Sequence, residues 1–458
     1  VKQLTSSGST WIRAVETSLS PMDSDPYVVE DGMCTIKKYE RAEKNIARVV
    51  SRLLNVSEYE VTLVEGLDDT QSKAVSMALT QPVSILCGGA GVGKSRTIAA
   101  ITKKLCGPDV FVCTPTGKAA ARLMEMGIEA RTLHSALFAQ NVDTCRHLIL
   151  DEQSMQDVVV LSSLLRRMPY LESILFVGDP FQLPSVGPGA LLRDLLACGK
   201  IPTTRLTKIY RQEGGSIVQN ANLIRRGNIH LTYDDSFKVL PYSMSHVIEH
   251  FIRLWDSENP PVILAALNQT VATLNKAIHK RFQVQQQGLK VSFYGYAEPW
   301  FIYPGDRMMC LQNIREEDMY VANGSIGVVL AIGDDWVKMR FSTGDIRITS
   351  PGKQLRPCYA ITVHKSQGSE YDNVLCIVEP SRLMHRRMLY TAVTRSKKTC
   401  TIYETPHALT RTVRRSPEER CTRLKEYINT CCSPTMNGVP LSSPQPTVAN
   451  STQNAPQS

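Results

Sequence analysis

The sequence lacks the marks of several protein classes. Its 13 cysteines include no CxxC pair, and the one close pair, Cys431 and Cys432, is adjacent. Such scatter fits reduced thiols in an intracellular protein and lacks the spacing of a zinc ribbon or a disulfide framework. No uninterrupted run of 18 apolar residues occurs, so no membrane span is expected. Val1 to Pro21 has no basic region leading into an apolar run and a small-residue cleavage site, so a secretory signal is not expected. Charge is missing altogether from Cys432 to Ser458, a stretch rich in Pro, Ser, Thr and Asn. That composition predicts a disordered tail over 432–458. No internal repeat of fixed period is visible.

What remains is a globular chain of 458 residues, 43% hydrophobic and 21% charged, long enough for more than one core. Its net charge of +9 is compatible with a polyanionic partner. In the N-terminal segment, 1–66, the residues Ala42, Ile46, Val49, Val50, Leu53 and Leu54 recur at helical spacing, which predicts an amphipathic helix over 37–54. Over 67–205, short apolar runs each end in a polar or Gly-rich turn: Val83 to Cys87, Val110 to Cys113, His147 to Leu150 and Ile174 to Val177. Runs of this kind, separated by helical stretches, read as buried parallel strands with crossover helices. Ligands bind at the carboxyl ends of such strands. A second set over 206–282 and 357–405 includes Val262 to Ala265, Val374 to Val378 and Cys400 to Tyr403. Between its halves, 283–356 changes to short alternating stretches such as Trp336 to Phe341, which predicts a β-rich insertion. A basic helical extension is expected over 406–431; the basic stretch Arg411 to Lys425 reads by default as a solvated surface helix.

Gly88-Gly89-Ala90-Gly91-Val92-Gly93-Lys94-Ser95 matches GxxxxGK[ST] between a predicted strand and a predicted helix. Glycines let backbone N–H groups turn inward around phosphate oxygens, Lys94 reaches the β- and γ-phosphates, and Ser95 binds Mg²⁺. The helix that follows adds its positive N-terminal end. Asp151 and Glu152 close another apolar run. Asp151 is expected to hold Mg²⁺ through water, and Glu152 to act as the general base on the attacking water. ATP and Mg²⁺ are therefore the expected cofactors.

The order of further motifs resembles a superfamily 1B DNA helicase of the RecD-like branch, over about residues 37–405. Leu67 to Gln71 is similar to the family's Q motif, which implies a Gln71 hydrogen bond to adenine. Thr114 to Ala120 and Thr132-Leu133-His134 resemble its single-stranded DNA segments and imply contacts by Pro115, Thr116, Thr132 and His134. Gly178 to Pro184 resembles motif III, with Gln182 as the γ-phosphate sensor. Tyr210-Arg211-Gln212 resembles motif IV, and Asn323 to Gly327 the SH3-like insertion. Thr362 to Glu370 resembles motif V, which implies DNA contacts by Thr362 and His364 and nucleotide contacts by Gly368 and Glu370. Tyr390 to Arg395 resembles motif VI. The resemblance implies an α/β fold with two RecA-like P-loop domains, catalytic roles for Lys94, Glu152, Gln182, Arg211 and Arg395, and 5′→3′ movement on single-stranded DNA. It also implies replication or repair partners and no membrane.

A cation from outside the P-loop stabilises charge on the γ-phosphate in transit. Arg211 and Arg395 lie far from Gly88 in sequence and reach the nucleotide only when the second domain closes over it. Phe181 and Tyr359 are equally suited to stacking on bases and to packing. Family members usually carry a strand-separating β-hairpin pin between the Thr-Leu-His segment and the Asp-Glu strand. Here only Ser135 to Arg146 lies between them, without an Asn-Gly or Asp-Gly turn signal. Two other readings stand beside the DNA helicase: an RNA helicase of a viral replication complex, and an accessory nucleic-acid-binding subunit without hydrolysis. The intact Lys94, Asp151, Glu152, Arg211 and Arg395 speak against the last.

Overall fold

The computed structural model describes residues 8–13, 26–55, 57–58, 60–210, 215–255, 260–282, 288–293, 299–316 and 319–432. The tail expected over 432–458 lies outside them except for Cys432. Six strands form the first sheet, all parallel, in the order Ala130–Thr132, Val110–Thr114, His147–Leu150, Ser173–Gly178, Val83–Gly88, Thr203–Leu206. Successive side chains on a strand point to opposite faces. Ile85, Phe111, Leu148 and Phe176 accordingly join one core, and their neighbours Leu86, Val112, Ile149 and Leu175 another. Both faces are covered, which is why these strands are uniformly apolar. Helices Lys37–Leu53, Val158–Leu165, Leu191–Ala197 and Leu424–Cys431 cover the first face. Helices Asp69–Thr80, Lys94–Leu105 and Gly117–Glu125 cover the second.

The second sheet has five parallel strands in the order Phe237–Pro241, Ser396–Glu404, Tyr371–Val378, Val262–Ala265, Ala360–Thr362. The same alternation places Leu264, Cys376 and Ile402 in one core and Ile263, Leu375 and Tyr403 in the other. Between the halves of this domain an antiparallel sheet runs in the order Gly344–Ile348, Val337–Phe341, Ile326–Ile332, Arg307–Cys310, Leu355–Pro357. Its last strand reaches past residue 356, so the insertion and the second domain share the Leu355–Pro357 segment.

Two parts of the structure depart from the sequence expectation. The first is an antiparallel sheet of Trp11–Arg13, Tyr27–Glu30 and Met33–Ile36, in a region that shows little periodicity. Its turn is Asp31-Gly32, both residues at positive φ (52° and 70°). That is the chemistry of a two-residue hairpin turn. The second is the C-terminal extension. It is not one basic helix: Ala408–Arg414 is helical, the next helix begins at Leu424, and 415–423 crosses from the second domain to the first. Arg420 donates to Ser185 O, Gly187 O and Gly189 O, and Leu424 and Ile428 are buried in the first domain's core. The crossing segment is therefore anchored at both ends, where a solvated helix was expected.

Glu43 ties these two surprises together. It is fully buried and accepts hydrogen bonds from Thr10 Oγ1 (2.5 Å), Trp11 Nε1 (3.0 Å) and Arg423 N (3.2 Å). Burial, aided by the Asp194 charge, lifts its carboxyl from 4.5 to about 7 despite those donors. The folded state thus holds this proton more tightly than the unfolded chain. The stability it contributes is full below pH 4.5 and is lost as pH rises through about 7. Glu43→Gln retains an acceptor for Trp11 and Arg423 and a donor for Thr10, without the buried charge. The variant is expected to melt several degrees above wild type at pH 8 and close to it at pH 4.5. A lower melting temperature than wild type at pH 8 would show that the ionised form is required.

Candidate active site

The phosphate loop leaves the strand Val83–Gly88 and ends at Gly93, the N-cap of the helix Lys94–Leu105. Gly93 has φ +84°, and a Cβ there would lie 2.4 Å from Gln71 Nε2, so only glycine fits. Lys94 Nζ donates to Gly88 O and Gly89 O, both at 2.8 Å. These loop carbonyls hold the ammonium at the mouth of the loop.

Facing the loop is a cavity of about 350 Å³. It is lined by Gly89 to Ser95 with Asp151, Glu152, Gln182, Gly368, Glu370 and Arg395. Five separate stretches of sequence and both domains meet there. Asp151 is buried, and its Oδ1 accepts from Glu152 N at 2.8 Å. Burial and the neighbouring Glu152 charge push the Asp151 carboxyl upward. Glu152 sits in the left-handed region (φ 53°, ψ 40°), uncommon for a residue with a Cβ. Its buried Oε2 has no partner among the described residues. A strained, half-buried carboxylate with an unused oxygen beside an elevated aspartate is a site poised for a cation or a proton. Ser95 and Asp151 line the cavity beside the phosphate loop, an oxygen-donor set that suits Mg²⁺, which keeps several waters and is held by one or two carboxylates together with substrate phosphates.

Arg395 is 4% exposed and lines the cavity. Its guanidinium donates to Thr391 O (3.1 Å) and Ser369 O (3.2 Å), which fix its direction. Gln182 is buried, with Oε1 unpartnered. The loop that carries it is stitched to the second domain: Tyr390 Oη donates to Asp179 Oδ2 (2.6 Å), Leu183 N to Thr391 Oγ1 (3.0 Å), and Gln367 Nε2 to Leu183 O (3.1 Å).

Gly88 and Gln71 are not walls of this cavity. Gly88 contributes its carbonyl to Lys94, and Gln71 lies buried behind Gly93. Gln71 Oε1 accepts from Asp68 N to complete a capping box, and its Nε2 is unpartnered. Arg211 lies outside the described residues. Three residues to which the motifs assigned no site role also line the cavity: Arg96, Arg122 and Tyr210. Arg122 pairs with Glu370 across the two domains at 3.3 Å. Tyr210 N donates to Gly91 O at 2.9 Å, and its hydroxyl bonds Asp68. Tyr210 was visible within Tyr210-Arg211-Gln212, whereas a lone arginine on a helix carries no sequence signal.

The expected nucleic-acid residues gather on the strand ends beside this cavity. Thr116 caps the helix Gly117–Glu125, and a Cβ on Gly368 would lie 2.8 Å from its Oγ1. Pro115 is half-buried next to it. Lys118, two residues on, meets the insertion at Gly324. Thr132 caps the helix Leu133–Leu137, on which His134 is exposed. Thr362 is buried and accepts from Lys365 N at 3.3 Å, so its hydroxyl shapes the turn. His364 is half-buried, and burial with the nearby Arg420 charge lowers its pKa, which keeps it neutral at pH 7. Tyr359 is buried and packs, whereas Phe181 is partly exposed. Ser135 to Arg146 holds the end of a helix and a 3₁₀ turn, Val142–Thr144, with Val142 and Cys145 in the core. It forms no hairpin.

Residues 66–238 match the AAA domain family, and residues 357–403 the UvrD-like helicase C-terminal domain. The chain is 30% identical over 401 residues to the RecBCD enzyme subunit RecD of Mycolicibacterium smegmatis, covering 72% of this chain and 69% of that protein. It is 28% identical to the Mycobacterium tuberculosis RecD subunit, covering 85% and 79%. It is likewise 28% identical to the ATP-dependent RecD2 DNA helicase of Deinococcus radiodurans, covering 84% and 58%. The fold is similar to that of the Pif1 helicase from Bacteroides in complex with ADP-AlF3 and ssDNA, with a TM-score of 0.55 at 20% identity over 78% of this chain and 95% of that one.

Proposed function

This chain belongs to the RecD-like branch of the superfamily 1B DNA helicases, and on that footing we propose that it couples ATP hydrolysis to 5′→3′ movement along single-stranded DNA. It is an ATP-dependent DNA helicase. The observation that supports the mechanism best is the cavity that collects Lys94, Ser95, Asp151, Glu152, Gln182 and Arg395.

In this reading Lys94 leaves the carbonyls of Gly88 and Gly89 for the β- and γ-phosphates, and the loop N–H groups cradle them. Ser95 and Asp151 would hold Mg²⁺, which would supply charge neutralisation for the phosphates. Glu152 takes the proton of the attacking water through its free oxygen. Gln182 reads the γ-phosphate, and Arg395, with Arg211, stabilises the charge that develops on it. Tyr210 and Arg96 offer an aromatic face and a guanidinium to the purine. Glu370, held by Arg122, completes the nucleotide's second wall. Hydrolysis then relaxes the contacts between the domains, and the grip of Pro115, Thr116, Thr132, His134, Thr362 and His364 shifts along the strand. Replication or repair proteins are the partners that suit such a motor.

Movement on one strand needs only alternating grip, through phosphate and stacking contacts. Opening a duplex also costs about 1.4 kcal/mol per base-pair step. With no hairpin between Leu137 and His147, the isolated chain is expected to displace streptavidin readily from a single strand. A 5′-tailed duplex should open slowly, with strong dependence on GC content. Rapid unwinding of long GC-rich duplexes would show that another element serves as the wedge. The same assay tests the main reading: ATPase stimulation by DNA, with opening of 5′-tailed over 3′-tailed substrates, supports it. Preference for 3′ tails would overturn the polarity, and stimulation by RNA homopolymers alone would favour the viral RNA helicase.

A further inference from the structure

The loop that carries Gln182 joins the strand Ser173–Gly178 to the helix Leu191–Ala197 and has no helix or strand of its own. Its first half is held by the second domain, through Tyr390, Thr391 and Gln367. Its second half, Ser185-Val186-Gly187-Pro188-Gly189, depends on another element. Gly189 has φ +102°, and a Cβ on Gly187 would clash with Asp157, so this half turns tightly against the first domain. We propose that Arg420, in the C-terminal extension, is a positioning residue for ATP turnover: it holds this half of the loop so that Gln182 stays aimed at the γ-phosphate. The inference rests on the helicase reading above, in which Gln182 reads that phosphate.

The hydrogen bonds carry it. Arg420 Nη1 donates to Ser185 Oγ (3.1 Å), Gly187 O (2.8 Å) and Gly189 O (2.8 Å), and Nη2 donates to Ser185 O (2.5 Å). Carbonyl oxygens aimed at a common centre repel one another, so the loop keeps this shape only around a cation, and a guanidinium supplies both charge and several donors. Burial and the Arg387 and Arg193 charges lower the Arg420 pKa to about 10, which leaves it charged at neutral pH; Asp157 offsets part of that repulsion. Without Arg420, three bonds to Ser185–Gly189 remain among the described residues. They are Ser185 Oγ to Gly187 O within the loop (2.8 Å), Val158 N to Pro188 O (3.4 Å) and Gly189 N to Gly8 O (2.9 Å).

Arg420 is itself fixed from both sides. Gly8 lies against its guanidinium, Cys421 O accepts from Thr10 N (3.0 Å) and Trp11 N (3.1 Å), and Arg193 Nη2 donates to Thr422 Oγ1 (2.8 Å). Leu424 and Ile428 then anchor the chain in the first core. In the other direction 415–419 leads back to the second domain, where Arg415 Nη1 donates to Ser381 O (3.0 Å). That stretch runs along an arginine-lined cavity of about 860 Å³ between the domains. Arg420 thus stands where the crossing segment meets the first domain. Gln182 is three residues before Ser185, buried, and without a partner for its Oε1 among the described residues. Its aim at the nucleotide cavity is set by the two halves of its loop, one held by the second domain and one by Arg420.

The test measures DNA-stimulated ATP turnover by the full chain, with kcat and KM separated. Arg420→Ala is expected to lower kcat roughly tenfold or more, the scale of a misplaced group at a reacting centre, and to leave the KM for ATP nearly unchanged. Arg420→Gln, which keeps two donors but no charge, should lose nearly as much; Arg420→Lys, which restores the charge, should recover part of the loss. Combination with Gln182→Ala tests the route. Because Arg420 acts through Gln182, Arg420→Ala should cost little more kcat in that background. If Arg420→Ala does not fold, Arg420→Gln carries both arms. A lower melting temperature with wild-type kcat would show a merely structural role and overturn the proposal. Additive losses in the double variant would also overturn it, since Arg420 would then act by another route. Wild-type turnover in Gln182→Ala would remove the γ-phosphate sensor and this inference with it. Failure of the wild type to hydrolyse ATP in the presence of DNA would instead overturn the helicase reading.

Discussion

Arg395→Ala is expected to lower ATP turnover by ~10³–10⁵ while sparing nucleotide affinity, the signature of a cation that acts on the transition state. The structure gives the reason. The guanidinium is held at the nucleotide cavity by Thr391 O and Ser369 O, on the helix end and the loop of the second domain. The fork is aimed before the nucleotide arrives, and its charge matters most when negative charge spreads over the γ-phosphate oxygens. Two carbonyls lose a donor in the variant, so a stability loss of about 1–2 kcal/mol is expected as well. Thermal melting separates this from the kinetic effect. Arg395→Lys should recover little, because a point charge cannot reproduce the fork that reaches both carbonyls and the phosphate. If affinity and turnover fall together in a folded variant, Arg395 is a binding residue and not a transition-state one.

Glu152→Gln is expected to leave ATP binding intact and to reduce turnover by ~10²–10⁴. The amide keeps the size of the side chain but cannot take a proton from water. A further consequence follows from the Asp151–Glu152 pair. Burial and the Glu152 charge raise the Asp151 carboxyl, so removal of that neighbouring charge should let Asp151 ionise at lower pH. The residual activity of Glu152→Gln should therefore persist further into acid than that of the wild type. Turnover within a few-fold of wild type would show that another group activates the water.

The phosphate loop and the Asp151–Glu152 pair at the cavity were legible because each is local. Gly88 to Ser95 must turn around phosphates within eight consecutive residues, and Asp151 and Glu152 must end a buried strand. The strand runs Val83 to Cys87, Val110 to Cys113 and His147 to Leu150 were equally plain, since a sheet covered on both faces has nowhere to put a polar residue. The Asp31-Gly32 hairpin carried its own turn signal but stands among residues without a long apolar run. Short edge strands such as Thr203–Leu206, with alternate residues exposed, gave no such run either.

Two parallel sheets, a phosphate loop, the carboxylates opposite it and the motif order of a superfamily 1B helicase can be read along the chain, since these depend on near neighbours in sequence. Tertiary structure alone decided what meets across it. It paired Arg122 with Glu370, placed Tyr210 over the loop and moved Gln71 behind Gly93. It buried Glu43 among Thr10, Trp11 and Arg423, and drew the basic C-terminal stretch back to the first domain, where Arg420 closes an arginine-lined cavity. The physical reason is range. Periodicity and turn chemistry act over a few residues, whereas a charge is stabilised or left unpaired by groups that folding brings from hundreds of residues away.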